Sequence, residues 1–120
     1  MPYIVGTSLP STLEMSAGSV RSSMSTTTST SEALWVTLDK DDFRSVNYQV
    51  QAVQGTNYNT TTINVVHDGT NAYMSEFGTI NEPVGISTFS TDISAGNLRL
   101  LGYPASNSST TFKVVFTAIK

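Results

Sequence analysis

Apolar and polar side chains alternate along most of the chain after residue 32. The alternation is strict from Val46 to Ala52, which is the two-residue period of a half-buried β-strand. Between such segments lie turn-forming residues, among them Asp68-Gly69, a strong signal for a tight hairpin. Seven strands are predicted, at residues 33–38, 46–52, 60–66, 72–77, 86–93, 98–103 and 111–119.

Short strands spaced about a dozen residues apart are typical of an antiparallel β-sandwich or a small barrel. No window keeps the i, i+3, i+4, i+7 spacing of a helix without a β-branched residue or a glycine interrupting it. The sequence therefore predicts an all-β protein, a jelly-roll or Ig-like antiparallel β-sandwich. The predicted inward side chains are Trp35, Val46, Tyr48, Val50, Ile63, Val65, Tyr73, Phe89, Leu98, Leu100, Phe112, Val114 and Phe116.

The first 31 residues differ from the rest of the chain in composition. Their apolar residues are scattered, and nine of the ten residues 22–31 carry a hydroxyl group. Such a segment cannot build a core by itself. The prediction is an extended Ser/Thr-rich N-terminal arm at 1–31 and a β-sandwich domain at 32–120. The arm is expected to dock on a neighbouring subunit, and the candidate docking residues are Tyr3, Ile4, Val5, Leu9, Leu13 and Trp35.

Composition supports a sheet protein and argues against nucleic-acid binding. Serine and threonine occupy 35 of the 120 positions, whereas charged residues make up only 12 % of the chain. The net charge is -3, and the six lysines and arginines are spread along the sequence. Affinity for nucleic acid comes largely from a dense positive patch that neutralises phosphates. No nucleic-acid partner is expected.

The chain has no cysteine, which removes disulfides, thiolate metal sites and thiol nucleophiles together. The start of the sequence lacks the charged segment and long apolar run of a signal peptide. No apolar stretch approaches the roughly 18 residues of a membrane span. The expectation is assembly in a host cytoplasm, with no membrane partner.

Candidate chemistry is sparse. His67, the sole histidine, precedes Asp68, but a hairpin tip explains both residues better than a nucleophile-base pair does. Asp39, Asp41 and Asp42 form an acidic cluster that lacks the ligand spacing of a calcium loop. No two carboxylates are spaced in a way that favours glycoside hydrolysis. The protein is expected not to be an enzyme, with no catalytic residue, metal or cofactor.

Aromatic residues leave a carbohydrate-binding alternative open. Tyr48, Tyr58, Tyr73 and Phe77 could stack on sugar rings, although about half of them are needed for the core. The loops 55–59, 78–85 and 104–109, if they share one end of the sandwich, could contact a host surface. A glycan is therefore a possible partner.

Several segments of residues 33–120 resemble a module of virion structural proteins from tailed phages, especially phages of marine cyanobacteria. The run through His67, Gly69, Tyr73, Glu76 and Gly78 is the most specific part. The segments that carry the resemblance are Ser45–Gln51, Gly55–Tyr58, Val65–Thr79, Gly85–Leu101, Pro104–Ala105 and Thr110–Val115. The resemblance implies a structural role in the particle and no catalytic residues.

The expected function is a virion structural protein of the capsid-decoration or cement type, docked through its N-terminal arm. The alternative is a tail, neck or fibre component, with a role in binding host glycans. Arm exchange between subunits would bury additional area and give a homo-oligomer. The expected partners are capsid or tail subunits.

Overall fold

The computed structural model describes residues 12–120, and within that range the regular structure is β-strand without helix. Every one of the seven predicted strands is present. The strands are β1 (Thr12–Glu14), β2 (Gly18–Thr27), β3 (Ala33–Asp39), β4 (Ser45–Gln54), β5 (Asn57–His67), β6 (Ala72–Glu82), β7 (Ser87–Ser94), β8 (Asn97–Pro104) and β9 (Thr110–Ile119).

The strands form two antiparallel sheets of unequal size. The large sheet has the order β1-β2-β9-β4-β5-β6, and the small sheet has the order β3-β8-β7. The all-β antiparallel prediction is confirmed. The division into six and three strands differs from the four and three of an immunoglobulin constant domain and from the eight strands of a jelly roll.

One hydrophobic cluster, with members from both sheets, forms the core. The Trp35 ring from β3 stacks on the Phe112 ring from β9, with centroids 4.0 Å apart. Eleven of the thirteen predicted inward side chains are buried, and Phe89 is partly buried against them. The exception is Tyr73, which is more than half exposed because Ala72 and Met74 take the inward positions of β6.

Much of the predicted N-terminal arm is part of the large sheet. All ten residues of β2 pair with β9, from Gly18 opposite Ile119 to Thr27 opposite Thr110. The backbone of β9 supplies the hydrogen bonds that this hydroxyl-rich segment needs, so a hydrophobic face is not required to hold it. The extended-arm prediction is therefore wrong for residues 12–27, while Tyr3, Ile4, Val5 and Leu9 lie outside the described residues.

The strand β6 runs five residues beyond its predicted end at Phe77. The pairing with β5 shifts register between Thr60 and Thr62, and Gly78 adopts a φ of +65° at this bulge. A glycine takes that conformation at little steric cost. The bulge keeps Ile80 and Glu82 in the sheet and lengthens the surface that β5 and β6 present.

Candidate functional site: the outer face of the large sheet

Side chains on the solvent side of the large sheet line up in rows across five long strands. Gln49 on β4 pairs with Val115 on β9 and with Thr62 on β5, and Thr62 pairs with Phe77 on β6. Because residues two apart on a strand point to the same side, each such row belongs to one surface. We call this surface the outer face; it comprises the solvent-side residues of β2, β9, β4, β5 and β6, with Leu13 of β1 at its margin.

The outer face is unusually apolar for a solvent-exposed surface. Nine large hydrophobic side chains lie on it, each between 47 % and 69 % exposed. They are Leu13, Met24, Tyr58, Val66, Tyr73, Phe77, Ile80, Val115 and Ile119. Serine, threonine, asparagine and glutamine side chains lie between them, so the hydrophobic side chains are spread over the face. An exposed face with this many large hydrophobic side chains is a candidate interaction surface.

Charge is almost missing from the outer face. Among the described strand residues that face outward, only Lys113 on β9 and Glu82 on β6 carry a charge. The acidic and basic residues Glu14, Arg21 and Glu76 belong to the opposite side of the sheet, as their pairing partners Ser19, Phe116 and Ile63 show by being buried. A partner can therefore cover the outer face with little charge desolvation.

The middle of the outer face is polar but uncharged. The Asn47 side-chain amide donates a hydrogen bond to the Asn64 side-chain oxygen Oδ1 across the β4–β5 pair. These two amides line a shallow depression of about 530 Å³, together with Tyr73, Thr117 and Ile119. The depression thus combines an exposed aromatic ring with amide and hydroxyl groups, the kind of chemistry that binds either a protein surface or a sugar.

The Tyr73 ring is held on the outer face by the turn that precedes β6. Its hydroxyl donates a hydrogen bond to the Asp68 carboxylate at 3.0 Å. The backbone N–H groups of Asn71 and Thr70 donate to the same carboxylate at 2.7 and 2.9 Å. These backbone donors, and then Tyr73, hold the pKa of Asp68 below its usual value. The turn thus fixes an exposed aromatic ring in one orientation.

His67 has a structural position. Its side chain is buried, with Nε2 2.6 Å from the carbonyl oxygen of Phe43 and Nδ1 accepting the N–H of Gly69 at 3.0 Å. The pattern requires the proton on Nε2, since a carbonyl oxygen can only accept. With both ring nitrogens bonded to the backbone, His67 ties the β3–β4 loop to the β5–β6 turn.

Charged residues gather at one end of the sandwich although they are scattered in the sequence. Four of the six cations, Arg21, Lys40, Arg44 and Lys120, border a depression of about 600 Å³. The acids Glu14, Asp41 and Asp42 border it too. Two of them form ion pairs, Glu14 with Arg21 at 2.9 Å and Asp41 with Lys40 at 3.1 Å. The charges largely compensate, so this depression has no strong preference for an anion.

The predicted acidic cluster is a turn. The Asp39 carboxylate accepts the backbone N–H of Asp41 at 2.9 Å, which closes the turn after β3. Within residues 12–120 no group of three or more His, Cys, Asp or Glu side chains is placed to hold a metal ion. The same residues include no helix of the length and hydrophobicity needed to cross a membrane.

Of the predicted docking residues, two are described by the structure. Leu13 is exposed at the margin of the outer face. Trp35 is only 5 % exposed and packs on Phe112 in the core, so its surface is used within the domain and is not available to a partner. Of the four aromatics considered for sugar stacking, Tyr48 is fully buried, whereas Tyr58, Tyr73 and Phe77 are exposed on the outer face.

The three predicted loops do share one end of the sandwich. Gln54 donates its side-chain amide to the Ser106 hydroxyl at 3.0 Å, which joins the β4–β5 turn to the β8–β9 loop. Asn59 donates to the Val84 carbonyl oxygen and accepts from the Ile86 N–H, both at 2.8 Å. These bonds bring the β6–β7 loop to the same end, opposite the charged depression.

No protein-family model matches the chain, and neither does any curated protein. Among solved structures, the tailspike protein of the Acinetobacter baumannii bacteriophage Fri1, a capsular polysaccharide depolymerase, is 16 % identical over 93 % of this chain, with a TM-score of 0.57. The tailspike protein of Acinetobacter phage vB_ApiP_P1 is 16 % identical over 83 % of this chain, with a TM-score of 0.49. The chain spans about a fifth of each tailspike, and the likeness to the Fri1 protein shows a shared fold.

Proposed function

We propose that this protein is a structural component of a phage tail, without catalytic activity, that docks on other virion proteins through the outer face of its large sheet. The observation that carries the proposal is the composition of the outer face, which has nine exposed large hydrophobic side chains and only two charged ones among the described strand residues. Hydrophobic side chains exposed to water are stabilised when a partner covers them. The virion setting is supported by the resemblance of residues 33–120 and by the fold shared with the Fri1 tailspike.

The tail is favoured over the capsid. The sequence predicts a capsid-decoration protein docked by an extended N-terminal arm. Of the 20 described residues of that arm, 13 belong to the strands β1 and β2 of the large sheet, so less of the arm is free to dock. The shared fold is with a tail protein. Both observations support the alternative prediction, a tail, neck or fibre component.

A non-enzymatic role agrees with how the candidate catalytic groups are used. His67 is bonded through both nitrogens, and Asp68 caps a turn. The Asp92 carboxylate accepts two hydrogen bonds from Arg99, at 2.8 and 2.6 Å. Each of these groups is engaged in holding the fold.

Mass spectrometry of purified particles, before and after separation of tails from heads, tests the location. The chain is expected in the tail fraction at a dozen copies or fewer per particle. Hundreds of copies in the head fraction would establish capsid decoration instead, and absence from the particle would refute the virion role altogether.

A second candidate function, binding of a host glycan, rests on the depression beside Tyr73. An oriented aromatic ring next to the Asn47 and Asn64 amides can stack on one sugar and hydrogen-bond to its hydroxyls. Since the Fri1 tailspike is a capsular polysaccharide depolymerase, bacterial capsular polysaccharide is the class of glycan to test. Binding that Tyr73→Ala abolishes and that Tyr103→Ala, on the small sheet, leaves intact would support it; equal losses in the two variants would contradict it.

A further inference from the structure

We infer that the outer face packs against the same face of a second copy of this chain, about a two-fold axis that runs parallel to the strands. The inference rests on the proposed docking role of the outer face and names the partner that covers it.

With the two-fold axis between β4 and β5, the area that the two copies cover lies within the range of a stable interface. Four strands of 10 or 11 residues overlap, namely β9, β4, β5 and β6. With strands about 4.8 Å apart and a rise of about 3.3 Å per residue, these four strands measure roughly 650 Å². A stable interface buries about 600 to 1,000 Å² on each side. An identical sheet is a partner of matching width and length, and two sheets stack readily face to face, with their strands nearly aligned.

A two-fold axis between β4 and β5 brings complementary strands together. It places β4 over β5 of the second copy and β9 over β6 of the second copy, and it leaves each row opposite the same row. The strands β1 and β2 lie beside the overlap. Val115 shares a row with Phe77, and Ile119 shares a row with Tyr73. In the pair, Val115 and Ile119 of one copy therefore meet Phe77 and Tyr73 of the other, twice over by symmetry.

The same axis brings the two charges together as opposites. Lys113 shares a row with Ile80, and Glu82 lies two residues further along the same strand, β6. The flexible Lys113 side chain of one copy can therefore reach the Glu82 carboxylate of the second copy. Along the axis itself lie Asn47, Gln49 and Thr62, whose amide and hydroxyl groups both donate and accept hydrogen bonds, so they suit a surface that faces itself.

The small sheet shows why the second copy is expected on the large sheet. Its solvent side carries the Arg99–Asp92 ion pair and the hydroxyls of Thr88 and Ser90, and its exposed large hydrophobic side chains are Leu34 and Tyr103. Nine of the thirteen exposed large hydrophobic side chains of the described residues lie on the outer face. A second copy removes seven of these nine from water, namely those on β9, β5 and β6.

Sedimentation equilibrium of the full chain over a wide concentration range tests the inference. The expected mass is twice 12.9 kDa at high concentration, with reversible dissociation on dilution. Val115→Glu is expected to raise the dimer dissociation constant at least about 100-fold, because it places a charge at the centre of an apolar contact. Tyr103→Glu, at a similarly exposed position on the small sheet, is the matched control and is expected to leave the dissociation constant unchanged.

A charge reversal tests the position of the axis without disturbing the core. Lys113→Glu alone and Glu82→Lys alone are each expected to weaken the dimer about tenfold, since like charges then face each other. The double variant is expected to regain most of the original affinity. This pair of substitutions also decides the matter if Val115→Glu fails to fold, which circular dichroism would reveal.

Three results would overturn the inference: a monomer at every concentration, a trimer or another closed ring, or single reversals whose effect the double variant does not repair. None of these would refute the proposed docking role, which a different virion protein could fulfil. That role fails separately, if the chain is absent from purified particles.

Discussion

The Tyr48 hydroxyl offers a substitution that is expected to stabilise the protein. Tyr48 lies at the centre of β4 and is fully buried beneath the Phe116 ring, with ring centroids 5.2 Å apart. Its hydroxyl has no hydrogen-bond partner among the described residues. Burial accordingly raises the pKa of the Tyr48 phenol well above its ordinary value. Tyr48→Phe removes this hydroxyl and keeps the ring.

The expected gain in stability comes from removing the buried, unpaired Tyr48 hydroxyl. A hydroxyl taken from water without a replacement hydrogen bond costs about 1–3 kcal/mol in proteins. Removal of the oxygen also forfeits some packing contacts, which offsets part of that cost. The free energy of unfolding of Tyr48→Phe is therefore expected to rise by about 1 kcal/mol. For a urea dependence of about 1.5 kcal/mol per molar, the midpoint rises by roughly 0.7 M.

Equilibrium unfolding in urea is the assay, and Tyr73→Phe is the matched control. The exposed Tyr73 hydroxyl donates to Asp68, so its removal is expected to lower stability slightly, which is the opposite sign. The advantage of Tyr48→Phe should widen above pH 10. In that pH range the Tyr48 phenol ionises in the unfolded chain but stays protonated in the folded protein. The free energy of unfolding of the wild type therefore falls as pH rises. A loss of more than about 0.5 kcal/mol in Tyr48→Phe would refute the reasoning, because it would mean that the hydroxyl is satisfied.

Two further substitutions test the packing of the sheets and the surface charges. Gly102→Ala is expected to lower the free energy of unfolding by about 3 kcal/mol, because the added Cβ would lie 2.5 Å from the Thr88 carbonyl oxygen and 2.6 Å from Nε1 of Trp35. A melting temperature within a few degrees of the wild-type value would contradict this. Asp92→Asn is expected to cost about 0.5 kcal/mol at pH 7 through loss of the hydrogen bonds from Arg99. Because Arg99 lowers the pKa of Asp92, that stability is present above about pH 4 and fades as pH falls through the folded pKa. A deficit that persists unchanged at pH 2 would exclude this cause.

The strands that sequence could predict are those whose inward faces are hydrophobic. In β4 and β9 every second residue is apolar and buried, so the period of two is visible in the sequence. In β2 the pattern is inverted, since Val20 and Met24 face outward while Ser19 and Ser23 face inward. Ser23 donates its hydroxyl to the Trp35 carbonyl oxygen at 3.0 Å. A strand held by its neighbour's backbone and by polar inward contacts gives no hydrophobic signal.

The outer face could not be predicted from the sequence, for a related reason. A strand such as β6 carries apolar residues on both sides, and the sequence Ala72-Tyr73-Met74 does not reveal which of them points inward. The bulge at Gly78 then changes the register, so that Phe77 and Ile80, three residues apart, lie on the same side. Only the pairing of β6 with β5 resolves this, and pairing is a long-range property. The rows of the outer face are therefore visible in the folded sheet and not along the chain.

The absence of cysteine from the sequence allows the role of the outer face to be measured in the particle itself. Val115→Cys places one thiol on the outer face, and Tyr103→Cys places one on the small sheet, at positions that are 55 % and 49 % exposed in the isolated chain. Maleimide labelling of purified phage particles that carry either variant compares the two surfaces directly. Protection of the thiol at position 115 with full labelling at position 103 is the expected result. Equal labelling of the two thiols would contradict the claim that the outer face is covered in the virion.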